Sequence, residues 1–322
     1  MCIRDRYEAA LKSQVPQLPL KSDSYKEHAA RIKSLSNLSD WSEMSNYCRK
    51  IISSLPSLPS FFERTDGSVR RNRDMLVIAK HIEFEITSEL LDCIKGSNGI
   101  NLQEILLLAL GMAIQRVVGQ SLTLITLESH GRAWPENRNY QLEILNLSRT
   151  VGWFTVHYPY ILDLTLNSSI NDQLSHVKKS LNSVPDQGWS YGIVESLIDA
   201  ENFSKSVIGQ VGFNYLGTMY GKSDNNRFDV IWETEGDSVG PNSLSLHPLD
   251  LLSYIENGQI KLHLGYDHIS IKKDLAEDLI SSILACVIEI KEAILRNKNI
   301  ILHSNNYITQ GLDDSDIDDL LS

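Results

Sequence analysis

Residues 128–132 set a carboxylate (Glu128), an imidazole (His130) and a guanidinium (Arg132) within five positions, beside a glycine at 131. A strand that ends in ionisable side chains and a glycine is a common way to aim chemistry into a cleft. The β-type run before them (Leu122, Leu124, Ile125) would deliver the trio to a strand end, where loop residues on a rigid scaffold commonly carry function. Glu128 is the first residue to consider. In an extended segment His130 would point the same way as Glu128, and either hydrogen-bond it or serve the fold alone. Arg132 would steer an anionic group, balance Glu128, or form a fold-stabilising pair.

A mixed α and β chain must position these residues. Residues 7–58 read as short, broken helices that end in the Ser-Leu-Pro-Ser-Leu-Pro-Ser punctuation of 54–60. Residues 61–75 are polar and basic, as in an exposed connecting loop. Residues 78–86 alternate, with Ile82, Phe84 and Ile86 on one face, which predicts a half-buried strand. Asn101 with Glu104 predicts a capping box that opens a helix to about Val118. That helix is apolar almost all round and should be central. A β-rich stretch at 152–164, a helical stripe of Ile170, Leu174, Val177 and Leu181, and a strand at 207–216 follow. Residues 249–266 read as a hairpin closed by Asn257-Gly258, a pair suited to two successive positive φ values. Leu275, Leu279, Ile283, Val287, Ile290 and Ile294 mark a long closing helix. Strands separated by helices, with antiparallel hairpins, imply a two-layer α/β sandwich.

The net charge of −11 over 322 residues argues against a basic nucleic-acid-binding face and against an anionic membrane surface. Five aspartates between Asp313 and Asp319 supply much of that excess. This acidic tail is either a docking or linking segment or a solvated end. Four widely spaced cysteines (Cys2, Cys48, Cys93, Cys286) show no ligand spacing and read as reduced, mostly buried thiols. The most apolar run, 105–114, is too short to span a bilayer. A soluble, cytoplasmic protein is expected.

Four stretches stand out in order: LESHGRAW (127–134), SRTVGWFTVHYP (148–159), VPDQGWSYG (184–192) and VGFNYLG (211–217). Singly, each has an ordinary explanation: Glu128 paired with Arg132, Trp153 and Tyr215 as core aromatics, Asn214 as a turn residue. Together, ESHGRA, RTVGWFTVHYP, PDQGWSYG and FNYLGTMY resemble motifs of the epimerization domains of nonribosomal peptide synthetases. Those domains carry sequences close to EGHGRE, RTVGWFTxxYP, PxxGxGYG and FNYLGQFD in the same order. They are a branch of the condensation-domain superfamily, so the resemblance implies the chloramphenicol acetyltransferase-like form of the α/β sandwich. It covers roughly residues 7–305. It implies a remnant of an N-terminal lobe at 7–60, a connecting loop at 61–75, a C-terminal lobe at 76–304, and a tail or interdomain linker at 305–322; residues 1–6 fit nothing in the family.

The departures are specific. Ser129 replaces a glycine, Ala133 replaces a second acid, and Thr218-Met219-Tyr220 stand where Gln-Phe-Asp is usual. The family's HHxxxDG motif is absent, and no His-His pair occurs in the chain. The chain is therefore expected to be a fragment cut after its catalytic histidines and inactive alone.

The resemblance implies inversion at Cα of an aminoacyl or peptidyl thioester held on the phosphopantetheine arm of a peptidyl carrier protein. Neighbouring synthetase domains would be the other partners, and no cofactor or metal would bind directly. Glu128 matches the family's acid/base position. Asn214 and Tyr215 become candidate donors to the developing enolate oxygen. His130, Arg132, Arg149 and Trp153 become candidate substrate-side residues, with Trp153 shaping the cleft floor. Two other readings remain: an amide-forming condensation domain fragment, and a noncatalytic lobe that docks carrier proteins.

Overall fold

A computed structural model of the chain describes residues 2–16, 20–38, 40–55, 58, 62–95, 99–132, 145–166, 168–198, 207–219 and 239–309. Three helices open it: α1 (Cys2–Leu11), α2 (Tyr25–Leu38) and α3 (Ser42–Ser54). Strand β1 (Met75–Ile82), helices α4 (Phe84–Lys95) and α5 (Leu102–Val118), and strands β2 (Leu122–Ser129) and β3 (Val156–Asp163) follow. Then come α6 (Ile170–Asn182), the short α7 (Tyr191–Ile193), strands β4 (Val211–Thr218), β5 (Leu249–Glu256) and β6 (Gln259–Asp267), and the closing helix α8 (Lys273–Thr309).

The six strands form one sheet in the order β1-β6-β5-β4-β2-β3. β4 runs parallel to both β2 and β5, and the remaining pairs are antiparallel. Residues paired across a ladder share a face, so the register sorts the sheet into two surfaces. Ile125, Val211, Leu249 and Tyr266 lie in one row, and Leu127, Phe213, Leu251 and Leu264 in the next. All are buried, in the same core as α5 and α8. Here Gly111 of α5 lets Leu162 of β3 come within 2.6 Å of where a Cβ would stand. The opposite surface carries Pro159, Thr126, Gly212, Asp250, Gly265 and Val77 in a row across all six strands. This second surface is the one that matters for chemistry.

Helix α5 is set as its sequence predicts: the Asn101 side chain accepts from the Glu104 N–H at 2.9 Å while Glu104 answers the Asn101 N–H at 3.1 Å. The hairpin between β5 and β6 turns through Asn257 (φ 50°) and Gly258 (φ 73°). The strand expected over 78–86 stops at Ile82. Residues 84–95 are helical instead, with Thr87, Leu90 and Cys93 buried at helical spacing, while Phe84 is exposed. Alternation over 78–86 is also compatible with a strand handing over to a helix, and the longer 3.6-residue periodicity prevails.

Residues 62–75 are exposed over 65–69, as expected of a loop, but two of their arginines turn inward. Arg64 reaches inward, donating through Nε and Nη2 to Asp267 at 2.7 and 2.8 Å, and through Nη2 to Asp74 at 2.8 Å. Arg70 adds a third contact to Asp267 at 3.0 Å. The side chains of Arg64 and Asp267 are 5% and 0% exposed, and these pairs hold the Asp267 carboxyl well below the usual carboxylate range against the opposing effect of burial. Arg64 and Arg70 are clamps, whereas Arg73 faces solvent.

Helices α2 and α3 share the core with the sheet: Leu35, Met44 and Cys48 are buried in it, and Tyr47 donates its hydroxyl to the Pro159 carbonyl at 2.7 Å. Cys48, Cys93 and Cys286 are buried. Among the described residues no helix is long and apolar enough to cross a membrane. The tail expectation falls partly on α8, which runs to Thr309, and partly on 310–322, outside the described residues.

Candidate active site

Glu128 stands at the penultimate position of β2 on the sheet surface that the core helices leave uncovered. Its cross-strand partner in the antiparallel ladder is His157 of β3. The two side chains, 30% and 40% exposed, approach to 3.7 Å between Glu128 Oε1 and His157 Nε2. From the other side, Asn214 of β4 donates its amide N–H to Glu128 Oε2 at 2.5 Å. The carboxylate is thus fixed by one amide and faced by one imidazole, with solvent access on its open side.

The surroundings add two residues that the sequence did not single out. Asp250 of β5 shares the row of Gly212 and Thr126. Burial raises its carboxyl to about 7, and the negative charge of Glu128 adds to the rise while His157 opposes it. His247, buried just ahead of β5, donates Nδ1–H to the Gly209 carbonyl at 2.9 Å. That bond places the proton on Nδ1 of the neutral ring, and burial pushes its pKa down. A cleft of about 210 Å³ is lined by Thr126, His157, Tyr191, Glu195, Ile208 and His247 among others; Glu128, Asn214 and Asp250 are not among its lining residues.

Each expected site residue has a definite place. Glu128 and Asn214 come together. Tyr215, next in the strand, necessarily projects from the other surface, where it packs against the core and burial raises its hydroxyl's pKa. It cannot serve beside Asn214. Asn214 itself directs a donor at Glu128 and not into the cleft. His130 lies beyond the end of β2 and is exposed; its Nδ1 accepts from the Arg132 N–H at 3.4 Å, so the expected shared direction with Glu128 is lost with the strand.

Arg132 is bound to the fold. It donates to the Leu147 and Thr150 carbonyls at 2.8 and 2.7 Å, and its guanidinium lies 4.2 Å from the Phe154 ring centre. Arg149 is half-buried and donates to the Leu20 carbonyl at 3.4 Å. Trp153 is 74% exposed, beside Val151 at 94%, and is not among the residues that line the cleft. Ala133 and Trp134 lie outside the described residues, as does Tyr220.

The four sequence stretches do converge. Gly131 turns the chain at φ 63°, and a Cβ there would fall 1.7 Å from the Phe154 carbonyl oxygen, so only glycine allows the first stretch to abut the second. Trp189 of the third stretch donates Nε1–H to the Gly131 carbonyl at 3.2 Å. Asn214 of the fourth completes the set at Glu128. His157 was within the second stretch; strand pairing of 122–129 with 156–163 is the signal that would have found it. Asp250 had no such signal, because its carboxyl reaches the site only through a long-range parallel pairing. Among the described residues no group of three or more His, Cys, Asp or Glu side chains is placed to hold a metal ion.

Comparison with known proteins shows the family to which the chain belongs. The chain is 30% identical over 312 residues to surfactin synthase subunit 1 of Bacillus subtilis (strain 168), covering 95% of this chain and 8% of that protein. It is 26% identical over 332 residues to tyrocidine synthase 1 of Brevibacillus parabrevis, covering 98% of this chain and 29% of that protein. In fold it is similar to the epimerization domain from the third module of tyrocidine synthetase B, with a TM-score of 0.77 at 23% identity over 91% of this chain and 64% of that one. The first condensation domain of the CDA synthetase is more distant, at TM-score 0.57 and 12% identity, over 90% of this chain and 58% of that one. The chain therefore spans only a small part of the synthases it matches, and less than two thirds of either solved domain. The family model for the condensation domain matches residues 2–300, and the chain belongs to the condensation-domain family.

Proposed function

We propose that this chain supplies the acidic half of an epimerase site within a nonribosomal peptide synthetase. The substrate is an aminoacyl or peptidyl group held as a thioester on the phosphopantetheine of a peptidyl carrier domain. The observation that carries this reading is the Glu128 carboxylate, partly exposed on the uncovered sheet surface and held in place by Asn214. The likeness to a solved epimerization domain supports it.

In the reaction, the Cα–H bond breaks and its electron pair passes into an enolate of the thioester. One carrier takes the proton and a second returns a proton to the opposite face. Glu128 is one carrier. The other is the imidazole of the HHxxxDG motif that the family resemblance implies, which these 322 residues do not contain. In the direction that deprotonates at Glu128, Asn214 stabilises the carboxylate form by a charge-assisted hydrogen bond. His157 faces the same carboxylate and orients it when protonated.

The test uses a synthetase segment carrying these residues together with an HHxxxDG stretch, and a carrier loaded with an L-aminoacyl thioester. Chiral analysis of the released amino acid is expected to show the D isomer. Glu128→Gln is expected to slow its appearance by about 10²–10⁴-fold without changing the melting temperature. Amide formation with the configuration retained would establish the condensation reading instead. Carrier binding with neither product would establish a docking lobe.

A further inference from the structure

Asp250 is a titratable group that the reaction as written does not use. In the ladder it stands between Gly212 of β4 and Gly265 of β6. A Cβ at Gly212 would fall 1.8 Å from Asp250 Oδ1 and 2.7 Å from His247 Cδ2, whereas a Cβ at Gly265 would stand an ordinary 3.5 Å from Asp250 Cβ. The carboxyl therefore leans one way only, across the bare backbone of β4 toward β2. On that side the same surface carries Thr126 and, one step along, Glu128. Asp250 is half-buried in this slot.

The groups that face it are these. β2 contributes Glu128 and β3 contributes His157, the two charges that act on it. His247 packs against the same glycine, and Arg70 acts on His247 in turn. β4 contributes Asn214, and β6 places His263 one step beyond Gly265. β1 offers Val77 at this register.

We propose, resting on the two-carrier reading above, that Asp250 is a positioning residue that resets Glu128 between turnovers. The proton leaves the Glu128 carboxyl through intervening water, bonds to the Asp250 carboxylate, and passes from there to bulk water; the reverse sequence reloads Glu128. A two-carrier inverter ends each turnover with its proton on the wrong side, so it needs such an exchange. A carboxyl that titrates near neutrality can run it in both directions at working pH. Burial and the Glu128 charge give Asp250 that property, at about 7.

Two measurements separate this inference from the reading it rests on. The first uses the chain itself with ¹³C-labelled aspartate carboxyls and follows Asp250 by NMR titration. The midpoint is expected near 7, and Glu128→Gln should lower it by about one unit. A midpoint that ignores Glu128→Gln overturns the pairing. The second measures deuterium wash-in at Cα against pH in the longer synthetase segment. The wild-type rate should bend near pH 7, and Asp250→Asn should remove the bend and slow exchange about tenfold. Gly212→Ala, which crowds the carboxyl without removing it, should do the same and stands in if Asp250→Asn does not fold. Exchange that keeps both its bend and its rate in Asp250→Asn overturns the inference while leaving the two-carrier reading intact. No exchange in any form sinks the two-carrier reading, and the titration still decides whether the carboxyls are paired.

Discussion

At Glu128 the imidazole that the strand pairing brings alongside is His157, not the His130 that lies nearest in the sequence. His130 is two positions away in the chain and turns out of the strand, whereas His157 is 29 residues away and directly opposite in the ladder. Sequence spacing finds neighbours along one strand; it does not reveal which strand lies alongside. Asn214 and Tyr215 make the same point, since adjacent strand residues occupy opposite surfaces. Two predictions separate them. Asn214→Ala should slow deuterium wash-in at Cα by roughly 10–100-fold, the equivalent of about 1.5–3 kcal/mol for a hydrogen bond to a charged group. Tyr215→Phe should leave the rate unchanged, because its ring faces the core helices; a comparable loss in Tyr215→Phe would contradict the assignment of faces. Gly131→Ala should damage both exchange and stability, since its side chain would meet the Phe154 carbonyl and its φ is positive.

Elements with a local signature were legible in the sequence. The capping box of α5 and the Asn257-Gly258 turn are each set by residues a few positions apart, and both form as read. The inward turn of Arg64 and Arg70 was not legible, because their partner lies about 200 residues downstream at Asp267. The clamp has a measurable worth. Removing one partner of a buried ion pair costs about 3–5 kcal/mol, so Asp267→Asn should lower the urea midpoint markedly at pH 7. The Asp267 carboxyl is held below its unfolded-state value. Its contribution is therefore full above the unfolded value and is lost as pH falls through the folded one. The gap between wild type and Asp267→Asn should accordingly narrow in melts run below about pH 4. A gap that does not change with pH would show that the carboxylate charge is not what holds the segment.

On the scale of the whole molecule, the two layers could be read from alternating strand and helix signals, but the order β1-β6-β5-β4-β2-β3 could not. It depends on the parallel neighbours β2, β4 and β5, which no turn connects. That order makes one sheet surface a core and the other a polar floor holding Glu128, His157, Asn214 and Asp250. Trp153 and Val151 project beyond this body and are largely exposed, so Trp153→Ala should change stability by no more than about 0.5 kcal/mol in denaturant melts. On the proposed reading, Glu128 serves one face of the substrate and an opposed imidazole the other. The most direct test follows deuterium wash-in at Cα for Glu128→Gln in the longer segment, started separately from the L- and D-aminoacyl thioesters. Asymmetry is expected: exchange is lost from the enantiomer that Glu128 deprotonates and persists from the other. Equal exchange from both enantiomers at the wild-type rate would contradict it.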